Sequence, residues 1–366
     1  MCNRFVQLGL AFIALALCSS LSLAGGKDKD FHCPEGQIAK RVQSNNHNIG
    51  HHYVCVPETD LSGEVAELKA VVESQNDVIT TLQTTVAELQ AKLECMSKTG
   101  DDVYFTGCNV HIRNGMGATG PGVNGLGNLI VGYNEDATSI PVDPPLDPSV
   151  RTGSHNIVVG PGHSYTDRGG LVVGAGNRIT AQFATVTGGF NNTASGASSS
   201  VSGGYNNVAS GNLSSVRGGG GNLAVGSVST VTGGQQNIAS GTASSVSGGG
   251  QNTASGDSSS VSGGQSNTAG GQIPPFQPFA SVNGGFGNVA SGFAASVSGG
   301  GDNNASGFAA SISGGQLNIA SGEQSSTVSG GFHNTASAAF ATVGGGGNRV
   351  AGDPQSWVAG LLFQPN

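Results

Sequence analysis

Residues able to do chemistry are few in this chain, and they are scattered. His47, His51 and His52 crowd into an Asn-rich stretch and suggest a metal site, but the setting reads as a solvated turn. Asp257, Asp302, Glu323 and His333 stand singly, each in a different copy of a repeat. No carboxylate pair is therefore at hand for glycan cleavage, and no acid–base set is gathered. Glycine strings such as Gly174-Ala175-Gly176 and Gly344 to Gly347 look superficially like phosphate loops, yet no Gly-Lys-Ser/Thr follows them. A calcium-binding roll needs Asp at fixed repeat positions, and that row is missing. The expectation is a protein without enzymatic activity, cofactor or metal.

The remaining reactive groups are cysteines. Arg4 precedes an apolar run from Phe5 to Leu17, and Ser22-Leu23-Ala24 offers a cleavage site before Gly25. This is the layout of a signal peptide over 1–24, with an apolar core too short for a good membrane span. An uncut anchor helix is the rival; lipidation through Cys18 is weaker, because Leu17 is bulky. Removal of the signal takes Cys2 and Cys18 and leaves Cys33, Cys55, Cys95 and Cys108. Four cysteines in an exported chain allow three disulfide connectivities, of which the local pairs Cys33–Cys55 and Cys95–Cys108 are favoured. A zinc site is disfavoured by the lack of a C-x-x-C pair.

What positions anything in this chain must be its glycines. Gly supplies 63 of 366 residues, charged residues 10% and aromatics 5%, with a formal charge of −8. No basic patch exists, so nucleic acid is excluded as a partner, and no later segment is apolar enough to span a membrane. Without a period such a composition signals disorder. From Phe183 onward, however, one unit recurs: Ser/Thr-Val-Ser/Thr, Gly-Gly, then x-x-Asn-x-Ala-Ser-Gly. The aliphatic position falls at Val186, Val201, Val216, Val231, Val246, Val261, Val282, Val297, Ile312, Val328 and Val343. Asn keeps step at Asn192, Asn207, Asn222, Asn237, Asn252, Asn267, Asn288, Asn303, Asn318 and Asn334, with Asn348 one residue early in the last copy. The spacing is 15 residues apart from an insertion around Gln272 to Phe279 and one extra residue near Thr327.

A unit of that length is too short for two helices and too rich in Gly and Ser for one. It fits one coil of a parallel β-solenoid, with two short strands and two corners. The Val points inward while flanking hydroxyls point out, and the Ala two residues past Asn fills a second inward place. Gly-Gly and Ser-Gly make the corners, where positive φ is costly for residues with a Cβ. Stacked coils put each Asn over the last, giving a structural ladder. One Val and one Ala bury little, so coils must stack on each other and pack beside sister chains.

Leu61 to Met96 supplies the means of association. Val65, Val72, Ile79, Val86 and Leu93 occupy a; Leu61, Leu68, Gln75, Leu82, Leu89 and Met96 occupy d. The a/d identities favour a parallel dimer, whereas Val71 and Val78 widen the stripe and favour three chains. A homotrimer is expected. Cys95 falls on the outside of such a bundle. The resulting organisation is a signal peptide over 1–24, a small disulfide-pinned module over 25–58, a coiled-coil stalk over 59–97, a connector and cap over 98–170, solenoid repeats over 171–352 and a tail over 353–366.

These residues bring a family into view. Ser200-Val201-Ser202-Gly203-Gly204 running to Ala209-Ser210-Gly211 resembles the head repeats of YadA-type trimeric autotransporter adhesins. The stretches Asn128-Leu129-Ile130-Val131-Gly132, Asn156-Ile157-Val158-Val159-Gly160 and Leu171-Val172-Val173-Gly174 are closer still. The resemblance covers about 128–352 and implies a left-handed parallel β-roll, three chains side by side and an adhesive role at a cell surface. The chain departs from that family in its longer period, in a stalk that precedes the head, and in lacking barrel-forming sequence after Gly352.

The expected function is thus a secreted or cell-surface adhesive fibrous protein that binds an unidentified surface, matrix or glycan ligand through many weak contacts. The proline-rich runs Pro141 to Pro148 and Pro274, Pro275, Phe276 and Phe279 interrupt the regular scaffold, as partner-contact loops do. A second reading is a solenoid that binds ice or a crystal face through the hydroxyl row Thr185/Thr187, Ser200/Ser202, Thr230/Thr232 and Ser245/Ser247, which Arg217, Asn283 and Gly344 interrupt.

Overall fold

The computed structural model describes residues 32–42, 52–57, 61–120, 122–271 and 279–360. The expected signal segment 1–24 lies outside these residues, as do His47, His51, Pro274, Pro275 and Phe276. The chain divides into two units, residues 1–110 and 111–366.

In the first unit, β1 (Gln37–Val42) and β2 (His52–Pro57) pair antiparallel, with Ala39 opposite Cys55. A Cys33–Cys55 disulfide ties the strand pair to the residues before it. Helix α1 (Leu61–Lys92) follows. Its β-branched threonines are accommodated because Thr80, Thr81, Thr84 and Thr85 each donate their hydroxyl to the carbonyl four residues back, at 2.9–3.0 Å. The heptad row was expected to continue through Met96, but the helix stops at Lys92 and Met96 opens a strand instead. β3 (Met96–Thr99) pairs with β4 (Asp102–Phe105) about a turn at Gly100, whose φ is +59°. The Cys95–Cys108 disulfide closes this hairpin and reverses the chain where a continuing helix would carry it onward.

The second unit is a parallel β-solenoid of about 13 turns. One sheet has 15 strands, from Leu129–Val131 to Trp357–Val358; the other has 13, from Ser164–Tyr165 to Val350–Ala351. Coils therefore begin within the expected connector and run into the expected tail, so the borders at 171 and 352 move outward. Most strands are two residues long, because the chain turns as soon as one inward and one outward side chain are placed. Register follows the repeat: Val186 pairs with Val201 and Ala194 with Ala209. The insertion at 272–278 leaves the ladder intact, since Val261 pairs directly with Val282 and Ala269 with Ala290.

After a first coil of 28 residues that carries the proline-rich loop, two coils are shorter than the rest. Val158 pairs with Val172 and Val172 with Val186, each a spacing of 14, before the spacing of 15 begins. The added residue is the first glycine of the Gly-Gly pair. Ala175 bridges Phe190, so Gly174 corresponds to Gly189 and Gly188 is the newcomer. It extrudes in every later coil at the same row, which keeps all ladders in register.

Candidate functional site

The interior of the solenoid is built from rows, each one residue wide. The expected aliphatic row, from Val186 through Val201, Val216, Val231, Val246, Val261, Val282, Val297, Ile312 and Val328 to Val343, is at most 1% exposed, and the Ala row beside it is equally covered. Burial of such a row removes apolar surface from water at about 25 cal/mol per Å², and each coil gains it only when capped by the next.

The Asn row forms a third wall. Asn192, Asn207, Asn222, Asn237, Asn252, Asn267, Asn288, Asn303, Asn318 and Asn334 are fully buried. Each side chain satisfies three backbone groups on two levels, its own coil and the next. The Asn192 Oδ1 accepts the Asn207 N–H at 3.0 Å. Its Nδ2 donates to Gly188 O at 3.3 Å within the coil and to Gly204 O at 2.9 Å in the next. A buried corner leaves orphaned backbone groups that cost free energy, and one carboxamide settles three of them. Asn348 does not join the row. It is exposed, with a φ of +55°, and its Oδ1 lies 2.9 Å from His333 Nδ1, while the Arg349 N–H meets Asn334 Oδ1 at 3.0 Å. Its early position in the repeat places it on the turn rather than in the rung.

Two further features were not expected from sequence. A fourth inward row precedes each aliphatic residue: Ala184, Ser199, Ser214, Ser229, Ser244, Ser259, Ala280, Ala295, Ala310, Ser326 and Ala341 are all buried. The free exchange of Ser with Ala at this position was the available signal. The Ser199, Ser214 and Ser229 hydroxyls have no partner, whereas Ser244 and Ser259 donate to carbonyls at 2.7 and 2.6 Å. The other feature is His163, which takes the rung below Asn177. It is fully buried; its Nδ1 accepts the Asn177 N–H at 3.2 Å and its Nε2 faces Val159 O at 3.0 Å. These contacts fix the neutral Nε2–H tautomer, whose one acceptor takes the place of the Asn Oδ1 and whose one donor takes the place of one of the two Asn Nδ2 donors. Burial lowers its pKa below the ordinary value, and the Arg151 charge acts in the same direction.

Positive φ is not where it was expected at the second corner. Gly196 and Gly211 have ordinary φ; they are glycine because a Cβ on either would run into the carbonyl of the next coil. The left-handed residue there is two positions on, at Ser198, Leu213 and Val228, with φ of 55–60°. At the Gly-Gly corner both demands fall on one residue: Gly204 has φ +81° and its Cβ would meet Gly219 O.

Outward, the two sheets differ. The 15-stranded sheet shows hydroxyls, several bound to the next coil: Thr187 Oγ1 donates to Ser202 O at 2.9 Å, and Ser296 and Ser311 hydroxyls lie 3.3 Å apart. Hydroxyls occupied with their own backbone do not favour the ice-binding reading. The 13-stranded sheet instead carries Val208, Leu223, Ile238, Val289, Ile319 and Val350 outward. At a corner, Phe279 is 54% exposed and meets Phe293 edge-on at 5.6 Å, which stacks on Phe308 at 5.0 Å. Among the described residues, no three of His, Cys, Asp and Glu come close enough together to hold a metal ion. No described helix is long and apolar enough to cross a membrane.

Residues 326–337 match the family described as the ubiquitous surface protein adhesin repeat. Those residues are one strand (Thr327–Val328), the Gly330-Gly331 corner, the Asn334 rung and the facing strand (Thr335–Ala336), which is the unit the solenoid repeats. No curated protein matches the chain. The match and the solenoid together fit an adhesin-like repeat protein.

Proposed function

We propose that this chain is an adhesive fibrous protein, exported to a cell surface or beyond it, that works without catalysis, cofactor or nucleic acid. The observation that carries this reading is the adhesin-repeat match falling on a complete strand–corner–rung–strand unit of the coil. A stacked array presents the same outward groups at every level, which suits many weak contacts acting together. Self-association through α1 supports the same end. Val65, Leu68, Val72, Ile79, Leu82, Val86 and Leu89 are 48–65% exposed along one heptad row, apolar surface that a single helix leaves in water. The occupant this row suits is the same row of sister chains, in a three-stranded coiled coil.

Two measurements test the proposal. Sedimentation of residues 25–366 should return the mass of three chains, and Leu82→Asp should reduce it; a wild-type mass of one chain rejects the stalk. Beads coated with the same protein should be retained on matrix-coated or cell-covered surfaces. Release from every such surface rejects adhesion.

A further inference from the structure

The proline-rich loop expected to contact partners does not project from the solenoid. It folds down over the 13-stranded sheet. Asp147 pairs with Arg178 at 3.2 Å, and Leu146 seats over Gly176, where a Cβ would lie 2.6 Å from Leu146 Cδ1 and 3.5 Å from Phe190 Cε2. Between the loop and the sheet runs a groove of about 780 Å³, within the range of small-ligand sites. Apolar surface comes from Pro144, Leu146 and Phe190; polar groups come from Asp143, Asn191 and Asn206.

We propose that this groove binds a neutral oligosaccharide. Three observations converge on that chemistry. First, Asn191 Nδ2 donates to Asn206 Oδ1 at 2.8 Å, which leaves the Asn191 Oδ1 as an acceptor and the Asn206 Nδ2 as a donor in the lining of the groove. A sugar hydroxyl both donates and accepts, so the hydroxyls of an oligosaccharide can meet both groups, and Asp143 adds a further acceptor. Second, Phe190 and the prolines give flat apolar surface against which the C–H face of a pyranose ring can lie. Third, the groove lining holds Arg178 together with the carboxylates Asp143 and Asp147, the latter 3.2 Å from the guanidinium, a balance of charge that disfavours a carboxylate, sulfate or phosphate. The proposal deepens the adhesive reading and rests on it: it assigns recognition to a shaped site at the start of the solenoid in addition to the repeated faces.

The repeats themselves supply variants that should fold. Gly220, Gly250 and Gly301 stand in the row of Phe190, and Gly221 and Gly287 stand in the left-handed row of Asn206. Phe190→Gly and Asn206→Gly thus replace each residue by one its row already contains, and Phe332→Gly makes the same change outside the groove. The full exported chain is applied to an array of mannose- and N-acetyllactosamine-terminated oligosaccharides with their sialylated and sulfated counterparts. The expected result is retention on a neutral probe, weakened at least about ten-fold by each groove variant and unchanged by Phe332→Gly. A blank array, retention confined to anionic probes, or equal binding by Phe190→Gly overturns the assignment, as does binding of a basic peptide lost with Asp143→Asn. Coated beads separate the two readings: adhesion with a blank array rejects the groove alone, and groove-dependent sugar binding without adhesion rejects adhesion alone.

Discussion

His163 shows how one side chain can end a ladder of another type. It accepts the N–H of the next rung, as an Asn would, only while neutral, because a proton on Nδ1 would face the Asn177 N–H donor. Its pKa in the fold lies below the free value of 6.5. The folded state therefore disfavours the charged form: the contribution to stability is complete above the unfolded pKa, and shrinks as pH falls from there toward the folded one. Hydrogen exchange should accordingly show lower protection of the Asn177 amide at pH 5 than at pH 7.5, and His163→Asn should remove that difference. A wild-type protection factor independent of pH would contradict the assignment. Ser199 offers a second test. Its hydroxyl is buried without a partner, and Ala occupies the same row at Ala295 and Ala310. Ser199→Ala should stabilise the protein by about 1 kcal/mol in denaturant unfolding.

The two corners of the coil explain what sequence reading caught and what it missed. A valine that returns every 15 residues names its own row, and Asn does likewise, so these walls were readable from spacing alone. The Ser199 row was not. Alternation would put Ser199 on the face of Val201, but Ser199 lies outside the two-residue strand, in the turn that its N–H closes on Gly196 O at 3.1 Å, and a position that takes either Ser or Ala does not announce itself as core. Likewise, left-handed backbone at Leu213 and Val228 carries no glycine to announce it, and the end of α1 is set by a disulfide rather than by a break in the heptads. The Gly-Gly corner yields a paired prediction. Gly204→Ala combines a left-handed φ with a clash against Gly219 O and should cost about 3 kcal/mol or more. Gly203→Ala meets nothing within 4 Å and should leave the unfolding of a single chain nearly unchanged.

Taken together, the second unit behaves as a one-dimensional stack, in which the backbone of each coil pairs with that of the coils above and below. Deletion of residues 212–226 rejoins Gly211 to Ser227 in the same phase that Gly226 has now. The shortened chain should keep its β-sheet circular dichroism and lose only a few degrees of thermal midpoint, whereas deletion of half a coil, residues 212–218, should unfold the region around the junction. Equal damage from both deletions would argue against independent coils.

The register that survives the insertion at 272–278 has a consequence for how such a chain can change over generations. Whole units can be gained or lost without breaking the rows, each step altering the length of the stack by about 4.8 Å while the groove at its start stays the same. The length of the stack and the shape of the groove are then separate traits, and a lineage can adjust the first like the length of a tether without touching the second.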